Sequence, residues 1–345
     1  MIIMYSDLHL REERLDDCEI ALNAVFDHAV KTRSKTKKEV LIYNGGDTFN
    51  VRGLIPTVCI DLLSKHYSKW AAEGLHQIIN VGNHDQEARD GEIHPMRAYH
   101  DWQKGCYWKV VDSPMYLELK GVLKRSLFCP YMKLDNIKEL LDVTKDRDMD
   151  LYVHWGVLGA LMNDFKKDTT GVPVEWLKGF RNVFSGHYHY RSKIENVQYI
   201  GSPFQQNFNE MSQEKGMLLY ENNKVSFKEI EKTSKHYEVE VGFKEEKPQI
   251  KSKGLFKEKD FIRVKVEGDS EQCATVTHDW LRSHINSHNI KIDRNVKEKA
   301  HSRLSLDHKD ILSPKLIATK YVEFVESGLD KKRLLSIGEK FLEMT

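Results

Sequence analysis

The stretch HQIINVGNHD, residues 76–85, decides the reading of this chain. Its first six residues form a short apolar run of the length and make-up of a buried strand, and Gly82 ends it. Asn83, His84 and Asp85 then follow with no packing reason to be there. An amide, an imidazole and a carboxylate are delivered together at a strand end. Residues 1–6 (MIIMYS) repeat the pattern and run into Asp7-Leu8-His9, and residues 39–44 (EVLIYN) lead through Gly45-Gly46 to Asp47. Further along, 149–154 (MDLYVH) ends on His154, and 180–185 (FRNVFS) leads to Gly186-His187-Tyr188-His189.

Five strand ends carrying such residues imply one cleft, because ligands of open α/β sheets bind where strands give way to loops. In D-x-H and H-x-H the two side chains stand at i and i+2, on one face of an extended backbone. Carboxylate, amide oxygen and imidazole without thiolate suit Mn²⁺ or Fe²⁺, and Zn²⁺ is also compatible. Asp7, His9, Asp47, Asn83, His154, His187 and His189 are too many ligands for one transition metal. They suit two ions about 3.5–4 Å apart that share a carboxylate. Asp47, alone at its strand end beside glycines that let backbones approach, is the natural bridge. A water held between two such ions is acidic enough to attack phosphorus at neutral pH. Each fragment alone has a plain competing reading, such as a core or surface histidine for His154. The ordered set is the signal.

The rest of the chain fits an α/β organisation. Helical spacing marks 16–31, 55–72, 92–104 and 133–147, and strands are expected at 115–130 around Gly121, at 196–200, and at 216–230 around Asn222-Asn223. Near residue 232 the composition shifts. Residues 244–260 are charge-dense and read as a loop, followed by a strand at 261–266, a helix at 269–287 and a strand at 289–293. Residues 294–313 read as a linker. Residues 314–326 and 330–343 read as two amphipathic helices whose apolar faces need a partner.

The order D-x-H, G-D, G-N-H-D, H, G-H-x-H resembles the calcineurin-like metallophosphoesterase family over roughly residues 1–230. Within that family the chain is most similar to the nuclease subunit of SbcCD-type double-strand-break repair complexes, phage recombination endonuclease subunits included. The spacings Asp7 to Asp47 and Asp47 to Asn83, and Tyr199-Ile200-Gly201-Ser202-Pro203 after the G-H-x-H, carry that closer likeness. The resemblance implies a two-layer β-sandwich flanked by helices over 1–231 and a small α/β capping, DNA-binding domain over 232–293. It further implies a C-terminal helix pair (314–345) that binds an SMC-like ATPase subunit of the SbcC type. Asp7, His9 and His189 would hold the first metal and Asn83, His154 and His187 the second, with Asp47 bridging. Two Mn²⁺ are implied, with Mg²⁺, Fe²⁺ or Zn²⁺ as alternatives. His84 would face the substrate as the catalytic residue and Asp85 would hold the loop. The implied activity is double-strand exonuclease and single-strand or hairpin endonuclease action on DNA, by a homodimer. Two positions depart from the pattern: Arg11, where many relatives have Gly, and Asn50, where many have an acid or His.

Composition neither supplies nor forbids this. The 345 residues carry 53 Lys+Arg against 52 Asp+Glu, so nucleic-acid binding must rest on local patches. Basic stretches at 251–265 and 281–303 include Arg282, Lys291 and Arg294, while Arg52 and Arg89 adjoin metal-loop motifs. Five scattered cysteines without CxxC spacing, no membrane-length apolar run and no signal-like N-terminus lead to the expectation of a cytoplasmic protein, host-cytoplasmic if phage-encoded. Tyr67, Trp70, Tyr99 and Trp102 are taken as exposed aromatic residues for a homodimer contact, with core packing as the competing reading. Two further functions stay open: a phosphatase of the same family acting on protein, nucleotide or metabolite, and a non-catalytic assembly subunit.

Overall fold

The structure is a computed structural model that describes residues 1–50, 53–87, 93–100, 106–163, 166–251, 254–297 and 333–334. Met1–Asn295 packs as one compact unit and Val296–Thr345 forms a second. In chain order the first part comprises β1 (Ile2–Tyr5), α1 (Leu15–Thr36), β2 (Leu41–Asn44), α2 (Thr57–Ala72), β3 (His76–Asn80), β4 (Trp108–Val111), β5 (Met115–Leu119) and β6 (Leu123–Phe128). There follow α3 (Leu134–Val143), β7 (Leu151–Val153), β8 (Val183–Ser185), β9 (Lys193–Ile194), β10 (Val197–Tyr199), β11 (Gly216–Glu221) and β12 (Lys224–Glu229).

These strands make two six-stranded sheets, in the orders β12-β11-β1-β2-β3-β4 and β5-β6-β7-β8-β10-β9. β1 through β4 are parallel, as are β6, β7, β8 and β10. The period of two along β1 explains the layering. Ile2 and Met4 face inward into a core between the sheets with Tyr43, Phe128, Tyr152 and Phe184, while Ile3 and Tyr5 face a second core under α1 and α2. Phe128, Tyr152 and Phe184, one on each of β6, β7 and β8, stack at 4.4 and 5.2 Å between ring centroids. A third core lies beneath α3, around Ile137 and Leu141. The result is the two-layer sandwich flanked by helices that the sequence predicts. At the turn after β11, Asn222 and Asn223 both adopt positive φ, as a tight hairpin requires.

Several expectations need correction. Tyr67, Trp70 and Tyr99 are 0%, 0% and 3% exposed, so they are core and not an exposed contact. Leu63, Tyr67 and Trp70 are spaced as one helical stripe, and that stripe faces inward. Trp102 lies outside the described residues. In place of a helix over 92–104 there is a single 3-10 turn, Pro95–Tyr99, among the described residues. The charged stretch 244–260 is not wholly loop. It contains β14 (Lys247–Ile250), which pairs with β13 (His236–Lys244). With β15 (Phe261–Gly268), β16 (Asn289–Val296) and the short helices α4 (Ser270–Thr275) and α5 (His278–Arg282), these strands complete a four-stranded sheet over its own apolar cluster. The helix expected at 269–287 is thus two, and β16 carries the chain to Val296, inside the expected linker. The sheet is fastened to the first part by Ser234 N donating to Asp17 Oδ1 (2.6 Å) and His236 N to Gln205 Oε1 (2.7 Å). Of the expected C-terminal helix pair, only Arg333 and Leu334 are described, and both are helical.

Candidate metal centre

All five ligand-bearing loops leave the C-terminal ends of parallel strands: β1, β2 and β3 in one sheet, β7 and β8 in the other. The first two stay bonded beyond their strands. Asp7 N donates to Gly46 O (2.9 Å), His9 N to Asp47 O (3.0 Å) and Leu10 N to Thr48 O (2.8 Å). That ladder fixes Asp7 and His9 beside Asp47. Across the sheets, His187 N donates to Asp7 Oδ1 at 3.1 Å. Four expected ligands, Asp7, His9, Asp47 and His187, hold φ of 55°, 46°, 52° and 84°. Left-handed backbone is uncommon for such residues and costs on the order of a kilocalorie per mole each. It aims the side chains inward here. Gly82 allows a close approach: a Cβ there would lie 2.2 Å from Asp47 Oδ1.

The ligand atoms gather in two sets joined at one carboxylate. Asp7, His9 and His189 form one set and Asp47, His154 and His187 another, each within 4.8 Å. Asp47 Oδ2 is 3.8 Å from His9 Nε2 and 3.3 Å from His154 Nε2, while its Oδ1 accepts from His84 N at 2.8 Å. Asn83 Oδ1 lies 3.2 Å from His154 Nε2 and 2.8 Å from His187 Nδ1. The structure therefore brings all seven residues expected as ligands into one cluster.

Two observations test whether the residues fit cations. Asp7 Oδ2 is buried without a hydrogen-bond partner. His154 Nδ1 is 2.7 Å from Gly45 O, a pure acceptor, so the neutral ring carries its lone pair on Nε2, facing only Asn83 Oδ1 and Asp47 Oδ2. Lone pairs converging on one point call for a cation. Burial pushes the Asp47 carboxyl up, but His154, then His9 and His84, outweigh it and hold it well below the usual range. Against the cost of burial, the Asp47 charge carries His154 up to about 9, so Nε2 holds a proton until a cation takes its place and leaves the neutral ring as a ligand. Burial, then the charge of His154, pushes His187 down to about 4. Burial, then Asp47, raises the Asp7 carboxyl. The donor set fits divalent metal ions.

The His84 side chain forms a further group with His9 and Asp47, its ligand atom within 4.8 Å of theirs. Its Nδ1 bonds Asn50 O at 2.9 Å, and its ring meets His9 edge-on at 4.8 Å. Asn50 thus acts through its carbonyl. Asp85 does hold the loop: Oδ2 accepts from Thr48 N (3.2 Å) and Gly82 N (3.0 Å), and Oδ1 from Phe49 N (2.9 Å). Arg11 ties His9 O (3.2 Å) to Gln206 Oε1 (2.7 Å).

Sequence reasoning missed the supporting layer. Glu210 Oε1 bonds His189 Nδ1 at 2.9 Å, and Lys215 Nζ pairs with Glu210 Oε2 at 2.7 Å. Tyr188, between the two histidines of G-H-x-H, donates to Asp168 Oδ2 at 2.5 Å. A cleft of about 430 Å³ opens beside His187, lined also by Tyr131, Lys133, Lys166 and Lys167. Of the expected DNA contacts, Arg282 is exposed, Lys291 pairs with Asp293 at 3.5 Å, and Arg294 bonds Cys273 O and Val276 O. Lys251, Lys259, Arg263 and Lys265 are all engaged in ion pairs. Arg52 and Arg89 lie outside the described residues.

No family model matches the chain. It is 29% identical over 160 residues to exonuclease subunit 1 of Enterobacteria phage T4, covering 46% of each protein. It is 25% identical over 204 residues to the DNA double-strand break repair protein Mre11 of Methanocaldococcus jannaschii, covering 55% of this chain and 52% of that one. Over about half its length the chain is thus similar to an exonuclease subunit and to a double-strand break repair protein. The matched part spans about half the length of these curated relatives. Among solved structures, the calcineurin-like phosphoesterase YfkN from Bacillus subtilis is similar at 12% identity and a TM-score of 0.34, over 66% of this chain and 90% of that one. Among the described residues no helix is long and apolar enough to cross a membrane.

Proposed function

We propose that the chain is the nuclease subunit of a DNA double-strand-break recombination or repair machine, hydrolysing phosphodiester bonds with two divalent metal ions, Mn²⁺ foremost. The observation that carries the reading is the position of Asp47 Oδ2 between the two histidine sets. Asp7, His9 and His189 would hold one ion, Asn83, His154 and His187 the other, with Asp47 shared. Two bound cations supply activation of the nucleophile and neutralise charge developing on the phosphoryl oxygens.

The chain's own groups do the rest. The buried ladder between the loops after β1 and β2 fixes the ligands before substrate arrives, so little reorganisation is left for the reaction. His84, with Nδ1–H committed to Asn50 O, would in its imidazolium form present Nε2–H to the phosphate or pass that proton to the departing oxygen. Glu210 keeps the His189 proton on Nδ1 and so keeps Nε2 available for a metal.

The DNA substrate is supported by what the two relatives are: an exonuclease subunit and a double-strand break repair protein. An SMC-like ATPase partner bound through 314–345 rests on the sequence resemblance, as does a capping role for 232–293. A homodimer finds support in residues other than the buried aromatic ones: Leu54, Val58 and Ile60, at 89%, 41% and 42% exposure, lead into and begin α2. The test is a substrate comparison with Mn²⁺ present. Linear duplex and hairpin DNA are expected to be cut, with little turnover of a generic phosphomonoester. Turnover of the monoester without cleavage of any DNA would favour the phosphatase reading.

A further inference from the structure

One cluster of metal-type side chains shares no residue with the sets around Asp47. His94 and His100 flank the 3-10 turn Pro95–Tyr99, and Asp112 follows directly on β4. Both imidazoles turn Nε2 towards the same carboxylate oxygen: His94 Nε2 is 3.3 Å and His100 Nε2 2.9 Å from Asp112 Oδ2. The three ligand atoms all lie within 4.8 Å of one another. The His94 side chain is wholly buried, while those of His100 and Asp112 are 34% and 24% exposed. We propose that His94, His100 and Asp112 form a mononuclear site for a divalent transition metal, zinc by preference, separate from the dinuclear centre.

The geometry and chemistry support this together. A tetrahedral zinc with bonds of about 2.0–2.1 Å sets its ligands roughly 3.3 Å apart, close to the separations that Asp112 Oδ2 keeps from the two nitrogens. Two imidazoles and one carboxylate are a zinc-type set, three protein ligands that leave a fourth position for water. The exposed edge of His100 and Asp112 gives that water, and the entering ion, access from solvent. Burial locks the His94 ring in its orientation before any ion arrives. Asp112 Oδ1 is turned away and accepts from Ser113 Oγ at 3.4 Å, leaving Oδ2 for the metal.

The site has a defined place in the fold. Glu87 N donates to Ile93 O at 3.0 Å, so the segment holding His94 is bonded to the chain just beyond Asn83, His84 and Asp85. An ion joining His94 and His100 to Asp112 clasps this segment to the end of β4, behind the loop that carries the candidate catalytic histidine. The role is structural: the ion steadies that loop and takes no part in the chemistry.

The test counts metal. The full-length protein is stripped with chelator, reloaded with Zn²⁺, freed of excess, and its zinc measured by inductively coupled plasma mass spectrometry. His100→Ala, at a partly exposed side chain, is expected to bind one equivalent fewer than wild type with an unchanged far-UV circular dichroism spectrum. Asp112→Asn is expected to weaken the same equivalent and serves if His100→Ala does not fold. Asp47→Asn, which damages the dinuclear centre, is expected to keep the equivalent that His100→Ala loses. Equal zinc content in wild type and in the folded variant at His100 or Asp112 would overturn the proposal.

Discussion

His9 and His189 come from opposite sheets, yet their Nε2 atoms stand 2.9 Å apart. His189 gives its Nδ1 proton to Glu210, so its Nε2 lone pair points at the His9 ring. Two imidazole nitrogens brought this close, with the Asp7 carboxylate beside them, make sense as ligands of one ion. Glu210 is therefore part of the centre without touching the metal. Glu210→Gln keeps an acceptor for His189 but removes the charge that pairs with buried Lys215. Metal affinity is expected to fall about 10–100-fold, with activity recovering at high Mn²⁺; a titration of activity against Mn²⁺ measures it.

Gly82 is the second point of sensitivity. A Cβ at 82 would lie 2.2 Å from Asp47 Oδ1 and 2.3 Å from Asp47 N, and a backbone atom has nowhere to yield. Gly82→Ala is expected to displace the bridging carboxylate and lower kcat by on the order of 10²-fold, although glycine has no chemistry of its own. Steady-state cleavage kinetics decide it, with wild-type rates counting against the bridging role.

Asp85 carries the turn. With both oxygens accepting backbone N–H bonds, it has no room for a donor. Burial, then the Asp47 charge, pushes its carboxyl up to about 7 against those bonds. Asp85→Asn directs an NH₂ group at one of the N–H donors. A loss of roughly 1–3 kcal/mol is expected above pH 7, where the carboxylate is ionised, read from the midpoint of urea unfolding.

How far the sequence carries the reader depends on where the information lies. The seven candidate ligands and His84 are legible as one cluster because polar residues after apolar strands have no structural reason to be there. Asp85 is legible as a loop anchor for the same reason. Glu210, Lys215 and Asp168 are not, because their partners are brought to them only by the fold. Tyr67 and Trp70 read as surface aromatics, although with Leu63 their spacing is that of a buried helix face. Strand β13 was missed for another reason. Val239 and Val241 alternate as a strand should, but among charged neighbours at the point where the composition shifts.

The third sheet's seam should respond to acid. His236 is 4% exposed between the rings of Phe208 and Phe261, and burial, then Arg14, pushes it down to about 4. The folded protein thus binds the proton less readily than the unfolded chain, whose histidine titrates near 6.5. This contribution to stability is complete above that value and is lost as pH falls from there towards 4. Up to about 2 kcal/mol should disappear between pH 7 and pH 5. Urea melts across that range would reveal it, and His236→Gln should flatten the slope.

A pair of ions sharing Asp47 is the arrangement on which the proposed chemistry depends. Crystals soaked in Mn²⁺ and measured at the manganese absorption edge test it directly through their anomalous difference density. Two peaks about 3.5–4 Å apart are expected, one beside Asp7, His9 and His189, the other beside Asn83, His154 and His187, with Asp47 Oδ2 between them. A single peak, or two peaks without Asp47 between them, would contradict it.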